Sequence, residues 1–137
     1  MEPTPIAIAV VECDDRFLIG RRPEGVPLAG YAEFPGGKVQ AGETVAAAAC
    51  RECLEETGIE VAPAGSADVI DWRYEHGAVR LHFVPCRVLT AGEPRAPFRW
   101  VERAQLATLS FPPANAAIVA RLAGACSSDA ATRGEPI

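Results

Sequence analysis

Between residues 36 and 59 the chain places Glu43, Arg51, Glu52, Glu55 and Glu56 in a segment bracketed by Gly36-Gly37 and Gly58. No other stretch limits the possible folds so tightly. The run from Thr44 to Thr57 predicts a helix: Thr44 suits an N-cap, Ala46–Ala49 is strongly helix-forming, and Gly58 stands where a left-handed C-terminal cap is expected. On that helix Glu52, Glu55 and Glu56 fall at i, i+3 and i+4 and share one face. Like charges at this spacing destabilise an isolated helix by roughly 0.2–0.5 kcal/mol per pair. One outcome is a solvated acidic face. The other is a face that holds a hard divalent cation, Mg²⁺ or Mn²⁺, through oxygen ligands, and the glycine loop and arginine beside the acids favour it. Ala46, Ala49, Cys50, Cys53, Leu54 and Thr57 then form the opposing side, expected to pack on a sheet.

The remaining pattern is α/β. Ile6–Cys13 and Arg16–Arg21 predict two strands across an Asp14-Asp15 turn, followed by a loop over Pro23–Gly30 and a short extended piece at Ala32–Pro35. A second loop, Gly36 to Glu43, leads into the helix. Ala67–Tyr74 and Ala78–Leu89 predict a hairpin about His76-Gly77, with Val79, Leu81 and Phe83 alternating against Arg80 and His82. A strand at Phe98–Val101, a brief helix at Arg103–Ala107 and a final helix at Pro113–Gly124 complete the order. These elements fit one domain over residues 1–125, large enough to bury roughly two-thirds of its unfolded surface. The small, polar tail 126–137 is expected to be disordered.

Charge narrows the partners. A net charge of −5 argues against gripping a nucleic-acid polymer. A small polyanion remains accessible if a metal and a few local cations screen it. The apolar run Ile6–Val11 is too short to span a membrane and no basic leader precedes it, so a cytoplasmic protein is expected. Five cysteines, an odd number, suit reduced thiols better than a disulfide framework. Cys50 and Cys53 form a C-x-x-C, but His76 and His82 lack the spacing to complete a zinc site, which leaves the pair a structural role.

The acidic segment resembles the signature of the Nudix hydrolases: Gly, five residues, Glu, seven residues, then Arg-Glu-apolar-x-Glu-Glu-x-Gly-apolar. Gly37, Glu43, Arg51, Glu52, Glu55, Glu56, Gly58 and Ile59 match it, with Cys53 as a small hydrophobe in the apolar slot. The resemblance extends from Ile6 to about Gly124. It implies an α/β/α sandwich with a mixed central sheet and a loop–helix–loop catalytic motif. It also implies metal-assisted attack of water on phosphorus in a nucleoside diphosphate linked to another group. Carried over by residue, Glu55 and Glu56 are metal ligands with the Gly36 carbonyl as another. Glu52 is the general base or shares the metal. Arg51 orients the acids, with Glu55 and Glu43 as its partners.

Three further stretches resemble the MutT-type subgroup: Glu33-Phe34-Pro35-Gly36-Gly37-Lys38, Arg21-Arg22, and Phe111-Pro112-Pro113-Ala114-Asn115. That resemblance implies hydrolysis of oxidised purine nucleoside triphosphates, 8-oxo-dGTP above all, to the monophosphate and pyrophosphate. Asn115 is the implied base reader, since an amide offers a donor and an acceptor to a purine edge. Phe34, with Phe111 or Pro112, would wall the base; Arg22 would meet phosphate or sugar, and Lys38 phosphate. Glu33, Pro35, Gly36 and Gly37 complete the substrate-binding stretch. Trp72, Tyr74 and Trp100 read as core or pocket wall. Two departures stand out. The short loop Gly92–Phe98 offers no clear counterpart to a further metal-ligating Glu, Glu93 being a poor match. Pro27 stands where the subgroup can place a histidine. Pyrophosphohydrolysis of CTP or a methylated dCTP, and nucleotide sensing without turnover, are the alternatives. A monomer and a homodimer are equally open.

Overall fold

The computed structural model describes residues 2–75 and 77–124. The expected turn residue His76 and the 126–137 tail lie outside them.

Strand β1 (Thr4–Cys13) forms the spine. Its run of apolar residues is buried on both faces, as expected of a strand with layers above and below. Ile8 and Val10 enter one core with Phe17, Ile19, Phe34, Leu81 and Phe83. Ala7, Ala9 and Val11 enter the other with Leu18, Ala48, Ala49 and Cys53. β2 (Arg16–Arg21) follows through Asp14 and Asp15, both at positive φ, in the geometry of a tight hairpin turn. β3 (Ala32–Glu33) and β8 (Arg99–Glu102) pair with β2, and β4 (Gly36–Lys38) with β1. β6 (Asp68–Tyr74) and β5 (Val61–Pro63) pair with β7 (Gly77–Val88). β1 and β7 run parallel while the other pairs are antiparallel, so the sheet is mixed as expected.

Helix α1 (Val45–Thr57) covers one face. Both ends are as expected: Thr44 Oγ1 accepts from the Ala47 N–H at 3.0 Å, and Gly58, at φ 79°, donates its N–H to the Leu54 carbonyl. Helix α2 (Ala116–Gly124) covers the opposite core through Ile118 and Val119. The sandwich of helix, mixed sheet and helix follows.

The structure departs from expectation in three places. β4 lies where a loop was expected and β5 in a stretch assigned no element, because three residues, two of them glycine in β4, carry no readable period. The final helix divides into a 3-10 turn at Pro113–Asn115 and α2, and Arg103–Thr108 is 3-10 as well. Leu54, placed on the buried side of α1, is 48% exposed, whereas Ala48 is fully buried. The buried stripe of α1 runs through Ala48, Ala49, Cys53 and Thr57. It lies against the small side chains of Ala7 and Ala9, and it turns Glu52 and Glu56 partly inward instead of leaving them opposite the sheet.

Candidate active site

The inward turn of α1 brings its acids onto β4. An added Cβ at Gly37 would stand 2.5 Å from the Glu52 carboxylate, and one at Gly36 would stand 2.5 Å from the Ala7 carbonyl oxygen. Gly36 is therefore small because β1 lies beneath it, and Gly37 because Glu52 lies above it. The Gly36 N–H donates to Glu56 Oε1 at 3.2 Å. Burial pushes the Glu56 carboxyl up to about 7; the Gly36 N–H opposes this, and the nearby Glu52 and Glu33 carboxylates add to it.

Arg51 gathers three of the other acids. Its Nε and Nη2 donate to the two oxygens of Glu43, and its Nη1 reaches Glu52 Oε2 at 2.9 Å and Glu55 Oε1 at 3.2 Å. The remaining Nη2 contact is the Lys38 carbonyl at 3.2 Å. Glu43 is held in turn by the Gln40 N–H, and these bonds keep its carboxyl below the usual range. Both expected partners of Arg51 are thus found, with Glu52 as a third. Lys38 is exposed at the end of β4.

On the other side of β4 opens a cavity of about 580 Å³, a size suited to a small molecule. Phe34, Trp72, Leu81, Pro112 and Asn115 line it, and Arg22, Glu33, Gly36 and Gly37 stand at its border with the acids. Phe34 is braced from behind by Phe111, with ring centroids 5.4 Å apart at 25°, and by the edge-on Phe83 at 6.4 Å. Arg22 binds Glu33 at 3.2 Å and the Pro27 carbonyl at 2.7 Å. Burial raises the Glu33 carboxyl against the pull of Arg22. Pro35 is fully buried, and its carbonyl accepts from Ala9, so it shapes the strand crossing.

Asn115 is 8% exposed at the head of this cavity. Its backbone N–H bonds Pro112, but among the described residues its side-chain amide has no hydrogen-bond partner. A buried polar group left unmet costs about 1–3 kcal/mol, so such a group is ordinarily paired.

The sequence-predicted residues therefore separate into two sets flanking Gly36-Gly37. The acids and Arg51 lie on one side; Phe34, Arg22, Glu33 and Asn115 lie on the other. Trp72 and Tyr74, read from sequence as core or pocket wall, line the cavity, whereas Arg95 was given no role. Trp72 and Tyr74 reach the cavity because alternate positions of β6 face inward, a period of two that was readable in Ile70, Trp72 and Tyr74. Arg95 caps α1 from a distant loop, donating to the Glu55 carbonyl at 2.7 Å, and no local signal marks it.

The NUDIX domain family profile matches residues 6–121. The chain belongs to the Nudix family. Among Nudix proteins it is 39% identical over 119 residues to a putative 8-oxo-dGTP diphosphatase 2 of Mycobacterium tuberculosis, covering 83% of this chain and 84% of that one. It is 30% identical over 127 residues to an 8-oxo-dGTP diphosphatase of Escherichia coli, covering 89% and 98%. In structure it is similar to MutT of methicillin-resistant Staphylococcus aureus, with a TM-score of 0.70, 27% identity, and coverage of 89% and 96%. This Nudix protein is a hydrolase of the MutT-like kind, acting on phosphoanhydride bonds.

Nudix hydrolases generally use divalent metals. Among the described residues no group of three or more His, Cys, Asp or Glu is already gathered for a metal. Glu43, Glu52 and Glu55 are bonded to Arg51 instead. The donor chemistry nevertheless fits a hard cation. Five carboxylates, Glu33, Glu43, Glu52, Glu55 and Glu56, face two guanidinium groups, and half-buried Glu56 has one N–H donor and two carboxylate neighbours. The Cys50–Cys53 pair has no such character. Cys53 is buried against Thr57 and the Ile59 carbonyl, and the four described cysteines are free thiols. No described helix is long and apolar enough to cross a membrane.

Proposed function

We propose that this Nudix hydrolase is a pyrophosphohydrolase of nucleoside triphosphates that releases the monophosphate and pyrophosphate, with an oxidised purine nucleotide such as 8-oxo-dGTP as its preferred substrate. The observation that carries the substrate reading is the unmet amide of Asn115, buried in a cavity that opens onto the acidic helix. It is supported by the diphosphatase relatives, whose named substrate is 8-oxo-dGTP.

In this reading the base enters between Phe34, Trp72 and Pro112, and Asn115 offers it one donor and one acceptor. A base lacking the complementary edge leaves that amide unpaired in a desolvated pocket and is rejected. Arg22 meets phosphate or sugar as Glu33 and the Pro27 carbonyl release it. Glu55 and Glu56 with the Gly36 carbonyl would hold Mg²⁺ or Mn²⁺, Glu55 leaving Arg51 to do so. Such an ion supplies neutralisation of phosphate charge and acidification of water. Glu52, its Oε2 fixed by Arg51, keeps Oε1 to take the proton from the attacking water. Glu43 acts through Arg51, which it holds with both oxygens.

The test is pyrophosphate release from 8-oxo-dGTP, dGTP, CTP and 5-methyl-dCTP with Mg²⁺ and with Mn²⁺. A preference for the oxidised purine that disappears in Asn115→Ala is expected. A preference for a pyrimidine, or one indifferent to Asn115, overturns the substrate reading.

A further inference from the structure

We propose that Arg21 and Arg99 form a phosphate subsite for the leaving-group end of the nucleotide, beyond the bond that is cleaved. The inference rests on the hydrolase reading above and adds to it where the remaining phosphates go. A concavity of about 430 Å³ opens beside Glu33 and Glu56 and is walled by Arg21, Arg22 and Pro97. A second, of about 280 Å³, shares Arg21 and Pro97 with it and continues to Arg99. Arg22 and Glu33 also border the Asn115 cavity, so the three spaces follow one another from Asn115, past the acids, to Arg99.

The sheet brings the two arginines together. β2 and β8 pair with Ile19 opposite Arg99, and Arg21 lies two residues beyond Ile19 on the same face. That makes Arg21 and Arg99 diagonal neighbours, within reach of one another for long side chains. Among the described residues neither guanidinium has an ion pair or a hydrogen bond. Arg21 therefore presents uncompensated positive charge in a concavity it shares with Glu33 and Glu56, and Arg99 does so in the concavity adjoining it, in a chain whose net charge is −5. A nucleotide with its base at Asn115 and its reacting phosphorus at Glu52 and Glu56 continues toward Arg21. Without a cationic receiver there, its outer phosphates would meet a repulsive field. The ligand class is a polyphosphate tail: pyrophosphate when the substrate is a triphosphate, a longer phosphate chain when it is larger.

The test compares the wild type with the double variant Arg21→Gln/Arg99→Gln, whose melting curve checks that it folds. Two measurements are made: inhibition of turnover by inorganic pyrophosphate and by the product monophosphate, and calorimetric binding of inorganic tripolyphosphate without turnover. Pyrophosphate and tripolyphosphate are expected to bind about tenfold more weakly to the variant, the loss from two part-exposed charge contacts. Inhibition by the monophosphate, which lies on the other side of the cleaved bond, is expected to stay the same. Unchanged tripolyphosphate binding overturns the subsite, as does an equal weakening of monophosphate and pyrophosphate. Should the wild type hydrolyse no triphosphate, the hydrolase reading fails by itself, and the calorimetric comparison still decides the subsite.

Discussion

Arg103 and Arg51 each collect carboxylates from separate elements, one behind the sheet and one at its acidic end. Arg103 is almost fully buried and each of its three guanidinium nitrogens has a partner. Nε bonds Asp15 at 2.6 Å, Nη2 bonds Glu12, Nη1 bonds the Leu122 carbonyl at 2.9 Å, and the group lies 4.9 Å from the Phe17 ring centre. Its two carboxylates remain about half-exposed. The cluster ties the β1–β2 hairpin to α2. Arg51 holds three carboxylates, and two of them, Glu43 and Glu52, are only 18% and 16% exposed. Glu56 is left half-buried on one backbone N–H, with Glu52 and Glu33 for neighbours. The first leaves its surplus negative charge on carboxylates that water reaches. The second holds negative charge in reserve, which is of use only to something that arrives positive.

Breaking each cluster should therefore damage different properties. The largest effect is expected from Glu52→Gln. Loss of a proton acceptor lowers kcat by about 10²–10⁴, while the melting temperature holds or rises because a like charge has been removed. Turnover at the wild-type rate would remove Glu52 from the chemistry. Arg103→Ala should do the reverse. It strips a buried guanidinium from two acids and a carbonyl, at a cost of about 2–4 kcal/mol in unfolding free energy, read from the denaturant midpoint. Activity per folded molecule is expected to be unchanged. A loss of activity at constant stability would erase the contrast between the clusters.

Gly37→Ala sharpens the comparison at closer range. The new methyl would sit 2.5 Å from the Glu52 carboxylate and must displace it. Misplacing a reacting group by about an ångström can cost up to 10²-fold in rate, so a fall of roughly ten- to a hundredfold in kcat/KM is expected. Glu52 is a flexible side chain and can move aside, so little stability should be lost. Wild-type kinetics in this variant would mean that Glu52 need not rest on β4.

The local features around this site are legible in the sequence, for a physical reason. Caps, helix spacing and turn residues are local, so Thr44, Gly58, Asp14 and Asp15 declare themselves within a few residues of chain. Asn115 could be placed at the start of the last helix from Pro112 and Pro113, and the resemblance singled it out; the structure puts it at the cavity. What was not legible depends on tertiary contact. Whether the acidic face of α1 turns out or in is decided by how closely the helix can approach Ala7 and Ala9, and Leu54 was misplaced for that reason. β4 and β5 exist through pairing with β1 and β7, not through a pattern of their own. Arg95 caps α1 from a loop that follows β7 in the chain, and the diagonal placing of Arg21 and Arg99 needs the β2–β8 register.

The smallest effect tests the idea of charge held in reserve most directly. In metal-free protein Glu56 binds its proton more tightly when folded, with its carboxyl raised from 4.5 to about 7. The folded state then holds more protons than the unfolded state between those values, so stability falls as pH rises from about 4.5 to 7 and is flat above. Because the group is only half-buried, solvent screening limits the fall to about 1 kcal/mol. Glu56→Gln cannot ionise there, so its melting temperature should pass that of the wild type near pH 8 and lose the advantage at pH 5. Adding Mg²⁺ at pH 8 should raise the wild-type melting temperature and leave the variant nearly unmoved. A variant less stable than the wild type at pH 8 without metal would mean that Glu56 is satisfied by Gly36 alone, and the two arginine clusters would then differ in place but not in kind.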